Sequence, residues 1–206
     1  MASLFRSVIL LILLTDVPSG PQLSIAPPPR PPMDKVETGL VVVDMQINPD
    51  GKTSGIEAAQ GMTRFVDASL RAARGWLFEP LEKGVPAIPA TAVFLFRART
   101  LLPDHPFTVD VPAEASPIDT PPRPMTITDP GYPIQSTAEG VVILQLQIAA
   151  RGRVHNTNVI RDVPSLTWTA THAVSQWTFG PAIHAGKPVP GVAIAAISFL
   201  RPVLSH

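Results

Sequence analysis

Two stretches of this chain, residues 39–97 and 140–201, carry the same parts in the same order. Gly39 stands 101 residues before Gly140, and the same interval separates Gly51 from Gly152, Trp76 from Trp177, Phe78 from Phe179 and Pro80 from Pro181. A constant offset across glycine, tryptophan, phenylalanine and proline predicts two copies of one small unit. Units of roughly 60–75 residues lie at the small end of the domain range. They bury a modest core and are marginal unless well packed or paired.

Each copy reads as strand, turn, strand, helix, strand. In the first, Gly39 to Ile47 is rich in β-branched residues, and Asn48-Pro49-Asp50-Gly51 is a turn in which glycine supplies the positive φ. Lys52 to Gln60 is a second, poorer strand. Phe65, Ser69, Ala72 and Trp76, with Val66, Leu70, Ala73 and Leu77 one residue on, give the apolar stripe of a helix. Thr91 to Phe96 is a closing apolar strand. The second copy is better formed. Val142, Leu144, Leu146 and Ile148 alternate with Gln145 and Gln147, and Val154 to Val163 returns. Ser165 is the expected N-cap of a helix with its stripe at Leu166, Ala170, Ala173 and Trp177. Val192 to Leu200 closes the unit.

Composition places the rest. The chain has 206 residues, equal numbers of acidic and basic side chains, no cysteine and 25 prolines. Zero net charge argues against a nucleic-acid partner. The missing thiols exclude disulfides, thiol catalysis and thiolate metal sites. Residues 1–20 combine Arg6 with the apolar run Val8 to Leu14, as a secretory signal does. The run is shorter than the ~20 residues of a spanning helix, so a short uncleaved anchor is the alternative, with membrane contact only in that case. The prolines crowd into residues 21–35, expected to be a spacer, and 99–130, expected to be a linker. The units are then 36–98 and 131–203.

A helix between the second and third strands must cross the sheet, which leaves the first strand in the middle and the other two at the edges. The expected fold class is α+β: two tandem β-β-α-β domains, each a three-stranded mixed sheet with one helix on one face.

The residues Tyr132-Pro133, Glu139-Gly140-Val141-Val142, Gly152 and Trp177-x-Phe179-x-Pro181 followed by Gly186-Lys187-Pro188 resemble the C-terminal domain of the TonB family, the energy transducers of Gram-negative envelopes. The resemblance covers about residues 130–202 well and 36–98 less well. True transducers carry a full membrane helix with a histidine, a long charged Pro-rich rod and one such domain. The resemblance therefore implies a fold and a binding role in the periplasm or outside the cell, not proton-motive-force transduction.

Trp76, Phe78, Pro80, Trp177, Phe179 and Pro181 read as a structural motif, with the tryptophans as core plugs at helix ends. His105, His155, His172, His184 and His206 lack paired ligand spacing. No nucleophile elbow, phosphate loop or carboxylate pair stands out. Neither an enzyme nor a cofactor or metal is implied. What remains is strand addition. Val192, Ile194, Ala195, Ala196, Ser198 and Leu200 lie on a strand expected at an edge, with no lysine or proline to blunt it. The resemblance implies a protein partner there, a segment of an outer-membrane receptor; a second copy of the chain joined edge to edge is the other occupant. A structural envelope protein whose domains pack together is the rival reading, and whether Val192–Leu200 is free or covered separates the two.

Overall fold

The computed structural model describes residues 20–32, 37–98, 119–133 and 135–201, and the backbone of 107–108. The expected signal, apart from Gly20, and much of the expected linker lie outside these residues. In chain order the elements are β1 (Leu23–Ile25), β2 (Gly39–Ile47), β3 (Thr53–Gly61), α1 (Thr63–Arg74), β4 (Leu77–Phe78), β5 (Ile88–Ala98), β6 (Phe107–Thr108), β7 (Arg123–Ile127), β8 (Gly140–Ile148), β9 (Val154–Arg161), α2 (Pro164–Val174), β10 (Thr178–Gly180), β11 (Ala182–His184), β12 (Lys187–Val189) and β13 (Gly191–Leu200). The protein is α+β and mostly sheet. No helix among the described residues is long and apolar enough to cross a membrane.

The two three-stranded sheets expected from sequence are one six-stranded mixed sheet, in the order β3-β2-β5-β13-β8-β9. Neighbours run antiparallel except at the centre, where β5 and β13 are parallel. Within each half the first strand does lie between the other two. The third strands, however, are not edges, because each takes the other as its neighbour. Pairing satisfies two rows of backbone groups that would otherwise stay open.

The register of that central pair decides where the helices go. Ala193 lies opposite Thr91 and Ala196 opposite Phe94, a separation of 102 residues against the sequence offset of 101. Side chains alternate with a period of two, so a difference of one sends corresponding residues to opposite faces. Phe94, Phe96, Ile194 and Ala196 join α1 on one face, where Phe65 stacks on Phe96 at 4.2 Å and Trp76 on Phe94 at 5.3 Å. Val93, Leu95, Ala193, Ala195 and Ile197 join α2 on the other, where Tyr132 meets Phe199 edge-on. Three layers result, helix, sheet and helix, with a core on either side of the sheet.

Local starts and stops follow residue chemistry. At each hairpin a glycine at positive φ closes the turn, Gly51 at 81° and Gly152 at 76°. The expected N-cap Ser165 lies inside α2, which begins one residue earlier. Pro164 takes the first turn, where its missing N–H costs nothing. Thr167 Oγ1 reaches back to accept from the Val163 N–H at 2.9 Å. The apolar stripe at Leu166, Ala170 and Ala173 faces the core.

The proline-rich segments are structural where they are described. The expected spacer supplies β1, which pairs with β4 and buries Leu23. The expected linker supplies β7, which pairs with β10. Proline denies a segment its ladder donor at particular residues, but a short strand interrupted there still packs.

Candidate functional site

The Trp-x-Phe-x-Pro motif braces each hairpin. Trp76 and Trp177 are buried, and each indole N–H donates to a carbonyl 49 residues upstream, Pro27 at 3.1 Å and Thr128 at 2.9 Å. The Phe78 and Phe179 N–H groups donate to Gly51 O and Gly152 O, both at 2.8 Å. The approach is so close that a Cβ on Gly152 would sit 1.8 Å from Phe179 O. Phe78 and Phe179 are buried, whereas Pro80 is exposed and Pro181 half-buried. These six residues set the position of the turn and of the strand after the helix.

The residues expected at an open edge are elsewhere. Val192, Ile194, Ala195, Ala196, Ser198 and Leu200 are all buried in β13, bonded to β5 on one side and β8 on the other. The physical reason is written in the strand itself. Both β5 and β13 are near-continuous apolar runs, the pattern of a strand covered on both faces at the middle of a sheet. A half-buried edge would have alternated. Ser198 is the polar exception in β13, and its hydroxyl has no hydrogen-bond partner among the described residues.

Two contacts cross between the halves and lock the seam. The buried Gln145 of β8 accepts from Leu23 N at 2.7 Å and donates to Pro21 O at 2.6 Å, which ties the first segment to the second half. In the other direction Arg123 pairs with Asp44 of β2. A third tie is buried: Arg97 at the end of β5 pairs with Asp129 at 3.0 Å, and the Arg97 guanidinium also donates to Ala98 O.

Among the described residues the edge strands of the sheet are β3 and β9. Beside β9, on the α1 face, lies a cleft of about 500 Å³ lined by Gln22, Gln145, Gln147, Asn156, Thr157 and Asn158. A second, apolar cleft of about 530 Å³ lies at the end of the seam between Ile88, Ile148, Pro190 and Val192. On α2, exposed Trp168 stacks on His172 at 5.4 Å. Exposed His184 meets Asp119 at 2.7 Å. The Ala185 N–H, and then His184, hold the Asp119 carboxyl below its ordinary value. That pair fastens the β11–β12 hairpin to the segment at Thr120. Among the described residues no three His, Asp or Glu side chains converge as a metal site would need.

No curated protein and no solved structure gives a significant match to the chain. Residues 130–200 match the family model described as Gram-negative bacterial TonB protein C-terminal. That span runs from Pro130 to the end of β13, about a third of the chain, and over it the chain is similar to a protein-interaction domain of the Gram-negative envelope.

Proposed function

We propose that this chain is a non-catalytic periplasmic protein-interaction module of TonB C-terminal type, built from two copies of one unit fused into a single sheet. The duplication is supported by repeated geometry. Trp76 and Trp177 each bond a carbonyl 49 residues upstream, and β1 and β7 occupy matching places beside β4 and β10. The observation that carries the reading is the match of residues 130–200 to the TonB C-terminal family model, and the pairing of β5 with β13 decides which surfaces are left for a partner. Each copy covers the strand on which a partner would otherwise add, so an external partner must use the outer edges β3 and β9 or a helix face. The partner is a periplasmic segment of an envelope protein, of which an outer-membrane receptor is one source.

The rival, a structural envelope protein with no peptide ligand, is favoured by the same seam, since it leaves the third strands nothing to offer. Photo-crosslinking residues at Ala59, Asn158, Arg71 and Trp168, four exposed positions on β3, β9, α1 and α2, separate the two in envelope extract. Discrete protein adducts from any of them are expected. Their absence from all four would leave the structural reading.

A further inference from the structure

We propose that the outer edge of β9 docks an extended polypeptide segment with Ser, Thr, Asn or Gln at alternate central positions and acidic residues at both ends. The inference rests on the interaction-module reading and names its site and the chemistry of its partner.

β9 is bonded to β8 on one side. On its other side, among the described residues, β10 meets the chain at Arg153, just before the strand, through the Arg153–Thr178 bridge, and no strand is paired beyond it. Backbone groups on an open side are a template for another strand. Irregular register at Ile143/Leu144 and at Gln147/Ile148 brackets a regular window in which Asn156, Thr157, Asn158 and Val159 lie opposite Gln147, Leu146, Gln145 and Leu144. That window holds no proline and no charge. The bulged ends limit a partner to a short, defined register.

The side chains specify more than the backbone does. Asn156 and Asn158 share a face with Gln147 and Gln145, and with Gln22 they line the cleft. Gln145 is engaged by Pro21 and Leu23. The side chains of Gln147 and Asn158 make no hydrogen bond among the described residues, and a carboxamide offers two donors and an acceptor. A strand laid along β9 turns every second side chain onto this face, where amides and hydroxyls are matched and methyl groups are not. Exposed Val159 lies on the opposite face, where an apolar residue of the partner would meet it.

Charge decides between a foreign strand and a second copy. Exposed Arg153 and Arg161 flank the window, without ion-pair partners among the described residues, and Arg151 lies in the adjacent turn; Asp162 falls just past the strand end. Two β9 strands docked antiparallel about Thr157 would set the Arg153 end of each beside the Arg161 end of the other, and like charges brought together disfavour pairing. An acidic partner gains where a second copy loses. β3, in the corresponding place, lacks these features. Asp44 and Glu57 stand opposite each other there, and Gly55 and Gly61 break the extended run at φ of 56° and 147°.

The test titrates the isotope-labelled full chain with a nine-residue capped peptide, Glu at both ends and Thr and Asn alternating with Val, followed by NMR. Shifts confined to β9 and the Gln147 and Asn158 side-chain amides are expected. A Lys-ended peptide should bind about tenfold more weakly, as two exposed charge pairs allow. The doubly reversed chain, Arg153→Glu with Arg161→Glu, should invert that preference. No binding, shifts centred elsewhere, or an unchanged preference in the reversed chain overturns the proposal. So does peptide-free dimerisation through β9, seen as a doubled mass that Asn158→Pro or Thr157→Pro abolishes. Photo-adducts from Arg71 or Trp168 with a silent β9 would remove this site and leave the interaction module standing.

Discussion

Proline substitution at the centre of the seam distinguishes a covered strand from an open one. In β13 the N–H groups of neighbouring residues point to opposite sides, so Ala195 and Ala196 donate toward different strands. Both neighbours, β5 and β8, are present along this stretch. Ala195→Pro and Ala196→Pro should therefore both be severe. Each deletes a ladder donor and leaves a buried carbonyl unpaired, which costs about 1–3 kcal/mol. The pyrrolidine ring must also fit between flanking strands in a strand buried on both faces, so a total of about 3–6 kcal/mol is reasonable for either variant. Whole domains have about 5–15 kcal/mol in hand, so both should unfold at markedly lower urea. Far-UV circular dichroism against urea reads this out, with Thr157→Pro and Asn158→Pro on the open edge as the contrast. Only one of that second pair should be damaging. If either Ala195→Pro or Ala196→Pro keeps stability within about 1 kcal/mol of the parent, one side of β13 is open and the seam is not as described.

Three further outcomes follow from buried groups. Trp177→Ala should lose about 3–5 kcal/mol in denaturant unfolding, while Trp177→Phe, which fills most of the space, loses clearly less. Ser198→Ala should gain up to about 1 kcal/mol by removing a buried hydroxyl that has no partner among the described residues; a loss of that size would reveal an unseen bond. Arg97→Ala should cost about 3–5 kcal/mol because it takes the cation away from the buried Asp129 carboxylate, which also accepts from the Gly131 N–H, whereas the double change Arg97→Met with Asp129→Leu should recover most of that loss.

Local signals in the chain were legible because they are local chemistry. The glycine turns, the helix stripes at Phe65 and Leu166, and the indoles at the helix ends are set by residues a few positions apart. The joining of the halves was harder to read. A third strand next to its first strand has one open side in either architecture, and nothing within a single copy says what fills it. One clue was present. Gly191 to Leu200 lacks the alternation that Val142 to Ile148 shows beside Gln145 and Gln147, and a run apolar on both faces belongs inside a sheet. The prolines misled for a related reason. Their density around Leu23 and Pro124 reads as extended chain, but extended chain is also what a two- or three-residue strand requires. As for the candidate site, the amides of Gln145 and Gln147 were visible as the polar side of a strand. That Asn156 and Asn158 stand opposite them depends on a register that the bulges offset.

The place of β13 has a consequence for the order in which the protein can be made. It is the last strand among the described residues and it lies at the middle of the sheet, so the N-terminal half completes β5 and then waits. At about 5–20 residues per second, the stretch from Ala98 to Gly191 takes on the order of 5–20 s to appear. Throughout that interval β5 presents a long apolar border of unmet backbone groups, the feature that recruits wrong neighbours. A chain that stops short of Gly191 keeps that border for good. Premature termination near the C-terminus should therefore yield sticky, aggregating fragments rather than a shortened but soluble protein.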